Sequence, residues 1–96
     1  MVVYNLEVVI DTPFEVTTNE IRYRVKSPRK FSKKSFRRKK ISKGVSLVVG
    51  CPKGKYSSRI KRCKVGVKGQ SLRFDRDYFT LTEAKRWVSR HKRSLR

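Results

Sequence analysis

A chain of 96 residues with 27 Lys and Arg against 7 Asp and Glu carries a formal net charge of +20. Its length suits one domain with a modest core, 36% of its residues being hydrophobic, and a domain this small buries only about 60–65% of its unfolded surface. Apolar runs such as Val8-Val9-Ile10 and Leu47-Val48-Val49 are only three residues long and no signal-peptide pattern opens the chain, so a soluble, cytoplasmic protein with no bilayer-spanning segment is expected.

The first predicted element is a strand over residues 2–10, "VVYNLEVVI", with Val2, Tyr4, Leu6, Val8 and Ile10 alternating onto one face. "DTP" ends it. A second strand follows at "EIRYRVK", with Ile21, Tyr23 and Val25 inward and Arg22, Arg24 and Lys26 outward. The acidic first strand is expected beside this basic one, because opposite charges across a ladder help to set register.

Pro28, which has no N–H for a ladder, ends the second strand and opens "SPRKFSKKSFRRKK", residues 27–40, eight of which are Lys or Arg. Phe31, Phe36 and Ile41 recur every five residues, a spacing that fits neither a helix face nor a strand face. It predicts a basic loop over about residues 27–43, pinned to the core at intervals, since a disordered arm has no need of aromatics. Phe31 and Phe36 therefore read as core anchors, with base stacking as the alternative.

Another strand is expected at about residues 44–51 and a further one at about 62–74, separated by the basic loop "PKGKYSSRIKR". In the later strand Cys63, Val65 and Val67 alternate with Lys64, Gly66 and Lys68. Gly69 marks a bulge or a turn, and Gln70, Leu72 and Phe74 resume the alternation. "TLTEAKRWVSRHK" then sets Thr80 three residues before Glu83, a capping box for a helix starting near Leu81. Leu81, Ala84, Trp87, Val88 and His91 form its apolar-leaning stripe, and Lys85, Arg86, Arg90, Lys92 and Arg93 lie off it. The fold class is α+β: a small, mostly antiparallel sheet or barrel with one C-terminal helix, an OB-like or SH3-like barrel being within range.

Charge is unevenly spread. Residues 1–20 hold four acids and no Lys or Arg, whereas residues 21–74 hold twenty Lys and Arg and no acid. A span of that kind has little means of neutralising itself, so its charges face water or a polyanion. Counterion release on neutralising phosphates favours nucleic acid as the partner. Arg22, Arg24 and Lys26 are spaced about 6.5–7 Å apart along a strand face, close to successive phosphates of one nucleic-acid strand. Arg29, Lys30, Lys33, Lys34, Arg37, Arg38, Lys39 and Lys40 in the basic loop are candidates for groove or backbone contact. So are Lys53, Lys55, Arg59, Lys61 and Arg62 in the second loop. Tyr56 either stacks on a base or packs over its own loop.

Catalysis finds little support. Asp75 and Asp77 flank Arg76, as a nuclease metal pair would, but they equally shape the turn before the helix and favour its positive end. His91 stands alone on the helix stripe and reads as a core or interface histidine. Cys51 and Cys63 sit where predicted strands enter and leave the second loop, so a disulfide across its base is geometrically reasonable. Buried free thiols, as an ordinary cytosol would keep them, and a metal shared with a partner are the alternatives. Two cysteines and one histidine are too few for an internal zinc site, and no cofactor is expected.

Two stretches carry a resemblance. "VVGCPKGKYSSRIKRCKVG" resembles a Cys-Pro-Lys-Gly-aromatic…Cys-x-Val-Gly segment of small uncharacterised basic proteins of archaea and of archaeal viruses or mobile elements. "QSLRFDRDYFTLTEAKRWV" resembles a strand–Thr-cap–helix ending common in small phage-type and archaeal proteins. The resemblance implies no settled activity; it implies a thermophilic source and so favours the Cys51–Cys63 bond. The density of basic residues is separately similar to that of ribosomal proteins. The expectation is a non-catalytic, single-domain nucleic-acid-binding protein that contacts the phosphate backbone, as a ribosomal or ribosome-associated component of a ribonucleoprotein on rRNA. The alternative is a DNA-binding or genome-contacting structural protein of an archaeal virus or mobile element.

Overall fold

Leu72 and Phe74 point inward from the longest strand of the protein, and the sheet is assembled on both sides of it. The structure is a computed structural model, and it describes residues 9–11 and 13–91. Its strands are β1 (Val9–Asp11), β2 (Phe14–Val16), β3 (Glu20–Arg24), β4 (Arg37–Ser42), β5 (Val45–Gly50), β6 (Tyr56–Ser57), β7 (Arg62–Cys63) and β8 (Lys68–Asp75), followed by helix α1 (Leu81–His91). Six of them form one antiparallel sheet in the order β1-β2-β3-β8-β5-β4, and β6 pairs with β7 as a separate ribbon. The protein is thus α+β, an antiparallel sheet with one C-terminal helix. Among the described residues β1 and β4 do not pair, so the sheet that these strands form is open.

One sheet face is apolar and carries the helix. Ile21 of β3, Val45 of β5 and Leu72 and Phe74 of β8 are almost fully buried against Ala84 and Val88 of α1. Phe74 meets the edge of Trp87 at a centroid distance of 5.7 Å. Each buried Ile, Val, Leu or Phe side chain among them contributes about 1.5–3 kcal/mol by leaving water. The capping box is formed in both directions: Thr80 N–H donates to Glu83 Oε1 at 3.0 Å, and Glu83 N–H to Thr80 Oγ1 at 3.2 Å. The basic helix residues Lys85, Arg86 and Arg90 are exposed, as the stripe requires, and Lys92 and Arg93 lie outside the described residues.

Several expectations shift. Of the expected first strand, residues 2–8 lie outside the described residues, and the neighbour of β3 is instead β2. Its Glu15 stands opposite Arg22, so the opposite-charge pairing is made by a different strand. The three residues of β2 directly follow Pro13 and are too few to show a period. The expected strand at 62–74 divides into β7 and β8, with Gly66 between them at φ 86°. Beside Gly69 the register slips by one residue: Val48 pairs with Ser71 but Val49 with Gly69, leaving Gln70 as the bulged residue. Gln70 fills that role by accepting from the backbone N–H groups of Val25 and Lys26 and donating its side chain to Lys26 O at 3.0 Å.

The basic segment expected as a loop to residue 43 is a loop only to residue 36. Two 3-10 turns, Pro28–Lys30 and Lys33–Ser35, lead into β4, a six-residue edge strand exposed along its whole length. With no buried residue β4 has no hydrophobic alternation to betray it. Its charges also discourage pairing with another chain at the open edge. Phe31 is buried and Phe36 half-buried, packed on each other and over Gly50 and apart from the core cluster under the helix, whereas Ile41 is exposed at the irregularity between Lys40 and Ser42. The anchoring is dense. Phe31 bridges to Pro52, Ser32 N–H donates to Cys51 O, Lys53 N–H to Lys30 O, and Cys51 N–H to Ser35 Oγ at 2.8 Å.

Gly50 is the seat of both rings. A Cβ there would lie 2.9 Å from Cδ1 of Phe31 and 3.0 Å from Cδ1 of Phe36. Gly50→Ala is expected to destabilise the protein by about 1–3 kcal/mol through overpacking, measured by chemical denaturation, with the segment from Phe31 to Phe36 showing the largest amide shift changes by NMR.

Candidate nucleic-acid interface

On the sheet face opposite the helix, the segment from Pro28 to Phe36 covers the end at Gly50, and the side chains of the rest of the face follow from the ladder. Register places Glu15, Arg22, Arg73, Ser46 and Lys40 in one row across β2, β3, β8, β5 and β4. The adjacent row is Arg24, Ser71, Val48 and Arg38. Arg22 and Arg73 stand directly opposite each other, an arrangement that repels unless a counter-charge intervenes.

Glu20 supplies it. Its Oε1 accepts from Arg73 Nη1 at 2.9 Å and from Arg22 Nε at 3.0 Å, and its Oε2 from Arg38 Nη2 at 3.3 Å. Glu15 adds a longer contact to Arg22 at 3.4 Å. The acid-free span is therefore neutralised in part by a carboxylate immediately before it, which corrects the expectation that its charges face only water or a polyanion. Burial pushes the Glu20 carboxyl up, but hydrogen bonds from Arg73 and Arg22 and the charge of Arg38 outweigh burial and hold its pKa below the ordinary value. Neither Glu20 nor Arg73 stood among the expected site residues. The outward position of Arg73 between Leu72 and Phe74 was the available signal; nothing local marked Glu20.

The expected cations fall into four places. Arg22 and Arg24 lie on the open face, with Lys26 in the bend just after β3. Arg29, Lys30, Lys33 and Lys34 are exposed on the two 3-10 turns. On β4, Arg38 and Lys40 share the open face, whereas Arg37 and Lys39 stand opposite Val49 and Leu47 and so project to the other side. Lys53, Lys55, Arg59, Lys61 and Arg62 are exposed on the β6–β7 ribbon and its approaches. Among the described residues Arg24, Arg37, Lys39 and Lys40 have no carboxylate partner.

The ribbon is tied to the sheet by the Cys51–Cys63 disulfide, with Cα atoms 5.6 Å apart. Tyr56 is half-buried opposite Cys63, and together with Arg37, Lys39, Lys61 and Arg62 it lines a cleft of about 310 Å3 beside the disulfide. A larger groove, of about 670 Å3, crosses the open face between Pro28 and Phe36 on one side and Arg22, Arg24 and Arg73 on the other.

The acidic pair near the helix is engaged locally: Asp75 Oδ1 accepts from Asp77 N–H at 2.9 Å, and Asp75 O from Tyr78 and Phe79 N–H. His91 stacks on Trp87 at 3.9 Å, with Nδ1 2.7 Å from Trp87 O. Among the described residues no three His, Cys, Asp or Glu side chains gather at one point, and no helix is long and apolar enough to cross a membrane. Compared with known proteins, the chain matches no family model, no curated protein and no solved structure.

Because the folded pKa of Glu20 is depressed, its contribution to stability is complete above the ordinary carboxylate range and lost as pH falls through the depressed value. Glu20→Gln is expected to cost about 1–2 kcal/mol at neutral pH, the exposed Arg38 arm adding little, and the deficit in melting temperature should vanish on acidification. Reduction of the disulfide should lower stability by up to about 3 kcal/mol in the chain-entropy account. Intact mass should rise by about two daltons on reduction, and an unchanged mass would show that the bond is missing.

Proposed function

We propose that this protein is a non-catalytic nucleic-acid-binding protein that seats β4 along the phosphate backbone of structured RNA, as a ribosomal or ribosome-associated component. The observation that carries the reading is the arrangement of Arg37, Arg38, Lys39 and Lys40. Four consecutive cations on a fully exposed edge strand alternate between two sheet faces, forming a ridge with charge on both flanks. The exposed cations of the 3-10 turns and of the disulfide-tied ribbon extend it.

Such a ridge suits recognition by charge and shape. Phosphate contacts fix position and orientation without reading sequence, and structured RNA offers closely spaced phosphates on several sides. The disulfide holds the ribbon beside the ridge, so less chain entropy is lost on docking than with a free basic arm. Basic composition supports the ribosomal assignment. The archaeal resemblance rests on the segment spanning Cys51 and Cys63 and on the strand–cap–helix ending.

If roughly eight phosphates are neutralised, log K should fall with log[salt] at a slope of about −6 to −7. Replacing Arg37, Lys39 and Lys40 with Gln should reduce the slope by about one for each phosphate no longer neutralised, while leaving the melting temperature unchanged. Salt-insensitive binding, or none, overturns the reading. Crosslinking and sequencing of nucleic acid bound in native extract tests the RNA assignment: co-sedimentation with ribosomal subunits supports it. Recovery with duplex DNA alone would replace it by a genome-contacting protein of an archaeal virus or mobile element.

A further inference from the structure

We infer that the groove on the open sheet face takes an unpaired nucleotide of a single-stranded segment, its base against Phe36 and its phosphate on Arg24. This rests on the nucleic-acid function proposed for the protein and adds a site that distinguishes an unpaired strand from a duplex. The ridge of β4 is cationic throughout, and phosphates alone satisfy it. The groove is different. At about 670 Å3 it falls within the size range of small-molecule sites, and Pro28, Phe36 and Val48 give it apolar surface next to Arg22, Arg24 and Arg73, with Glu15 as the one acid of its lining, in contact with Arg22. Its lining suits an occupant with a flat apolar face and a negative charge placed at Arg24.

The lining residues divide those tasks. Across the sheet, Ser71 and Val48 form a low floor between Arg24 and Arg38, roughly 14 Å apart at three strand spacings. Arg22 and Arg73 already bond Glu20, and Arg22 also contacts Glu15, so their guanidinium groups are held in place and their charge is partly offset. Arg24, without a carboxylate partner among the described residues, is the rim cation that draws a phosphate. Phe36 is half-buried, backed by the Phe31 ring at 5.6 Å and seated over Gly50, so its ring is positioned before anything binds. Phe31 is the buried anchor and Phe36 the surface it presents, which divides between the two rings the roles that the sequence left as alternatives.

A duplex keeps base faces inside its stack and offers phosphates and base edges only. An unpaired strand offers a π-face and a phosphate together, the combination that aromatic-and-arginine surfaces hold. Charge complementarity and the apolar wall thus select single-stranded nucleic acid, such as a loop or bulge of a structured RNA.

The test uses the full chain and three fluorescein-labelled probes at one salt concentration: an oligopyrimidine single strand, the same strand with central abasic sites, and a duplex. The intact strand should bind roughly tenfold tighter than the abasic strand, which has the same charge, and tighter than the duplex. Phe36→Leu retains apolar packing over Gly50; it should lose that base-dependent increment and still bind the abasic strand as well as the native protein does. Arg24→Gln should weaken both single strands. Equal affinity of the native protein for all three probes overturns the inference while the proposed function stands, as does an increment that survives in a folded Phe36→Leu protein. Absence of binding to every probe overturns both. Should Phe36→Leu fail to fold, the intact-against-abasic comparison on the native chain decides alone.

Discussion

A single carboxylate set between three guanidinium groups ties together arginines of three strands of one sheet, β3, β8 and, beyond β5, β4. Arg22 and Arg73 face each other across the β3–β8 ladder, and Arg38 approaches from β4 over the width of the sheet. Remove the Glu20 charge, and the three cations at the centre of the sheet keep only the longer contact of Arg22 to Glu15. The turn that carries Glu20 is itself held: Thr17 Oγ1 donates to Glu20 O at 2.9 Å, and Glu20 N–H donates back to Thr17 Oγ1. Arg76 beyond β8 clasps the same turn through Thr17 O. The carboxylate is thus fixed by backbone geometry, which is what a counter-charge must be if it is to organise long, flexible side chains.

That clamp also sorts the positive charge. Arg22, Arg73 and Arg38 share the charge of Glu20 within the molecule, whereas Arg37, Lys39 and Lys40 of β4 and the cations of the 3-10 turns and the ribbon face outward. A protein with net charge +20 gains from such a division, because self-repulsion is reduced at the centre and left where a polyanion can relieve it. The disulfide and the Phe31–Phe36–Gly50 packing serve the same end by different means. Each holds a highly charged segment to the sheet through contacts that do not depend on charge.

Where local pattern carried the information, the structure follows the sequence closely. The Thr80–Glu83 box starts α1, the alternation of Ile21 and Tyr23 or of Leu72 and Phe74 gives the buried face, and Cys51 and Cys63 meet across the base of their loop. The misses share a cause. β2 is three residues long beside Pro13, and β4 buries nothing, so neither has a periodicity to read. The five-residue spacing of Phe31, Phe36 and Ile41 mixed one buried ring, one groove-lining ring and one exposed side chain, which no single periodic rule could separate.

By itself the sequence determined the basic character of the surface, the helix and its cap, and the alternation that marks the apolar face of the core strands. These are local or compositional properties, settled within a few residues. Only the tertiary structure decided which cations are neutralised and which remain available. Glu20 reaches Arg38 eighteen positions away and Arg73 fifty-three away, and no spacing along the chain encodes contacts that exist only once the strands are side by side.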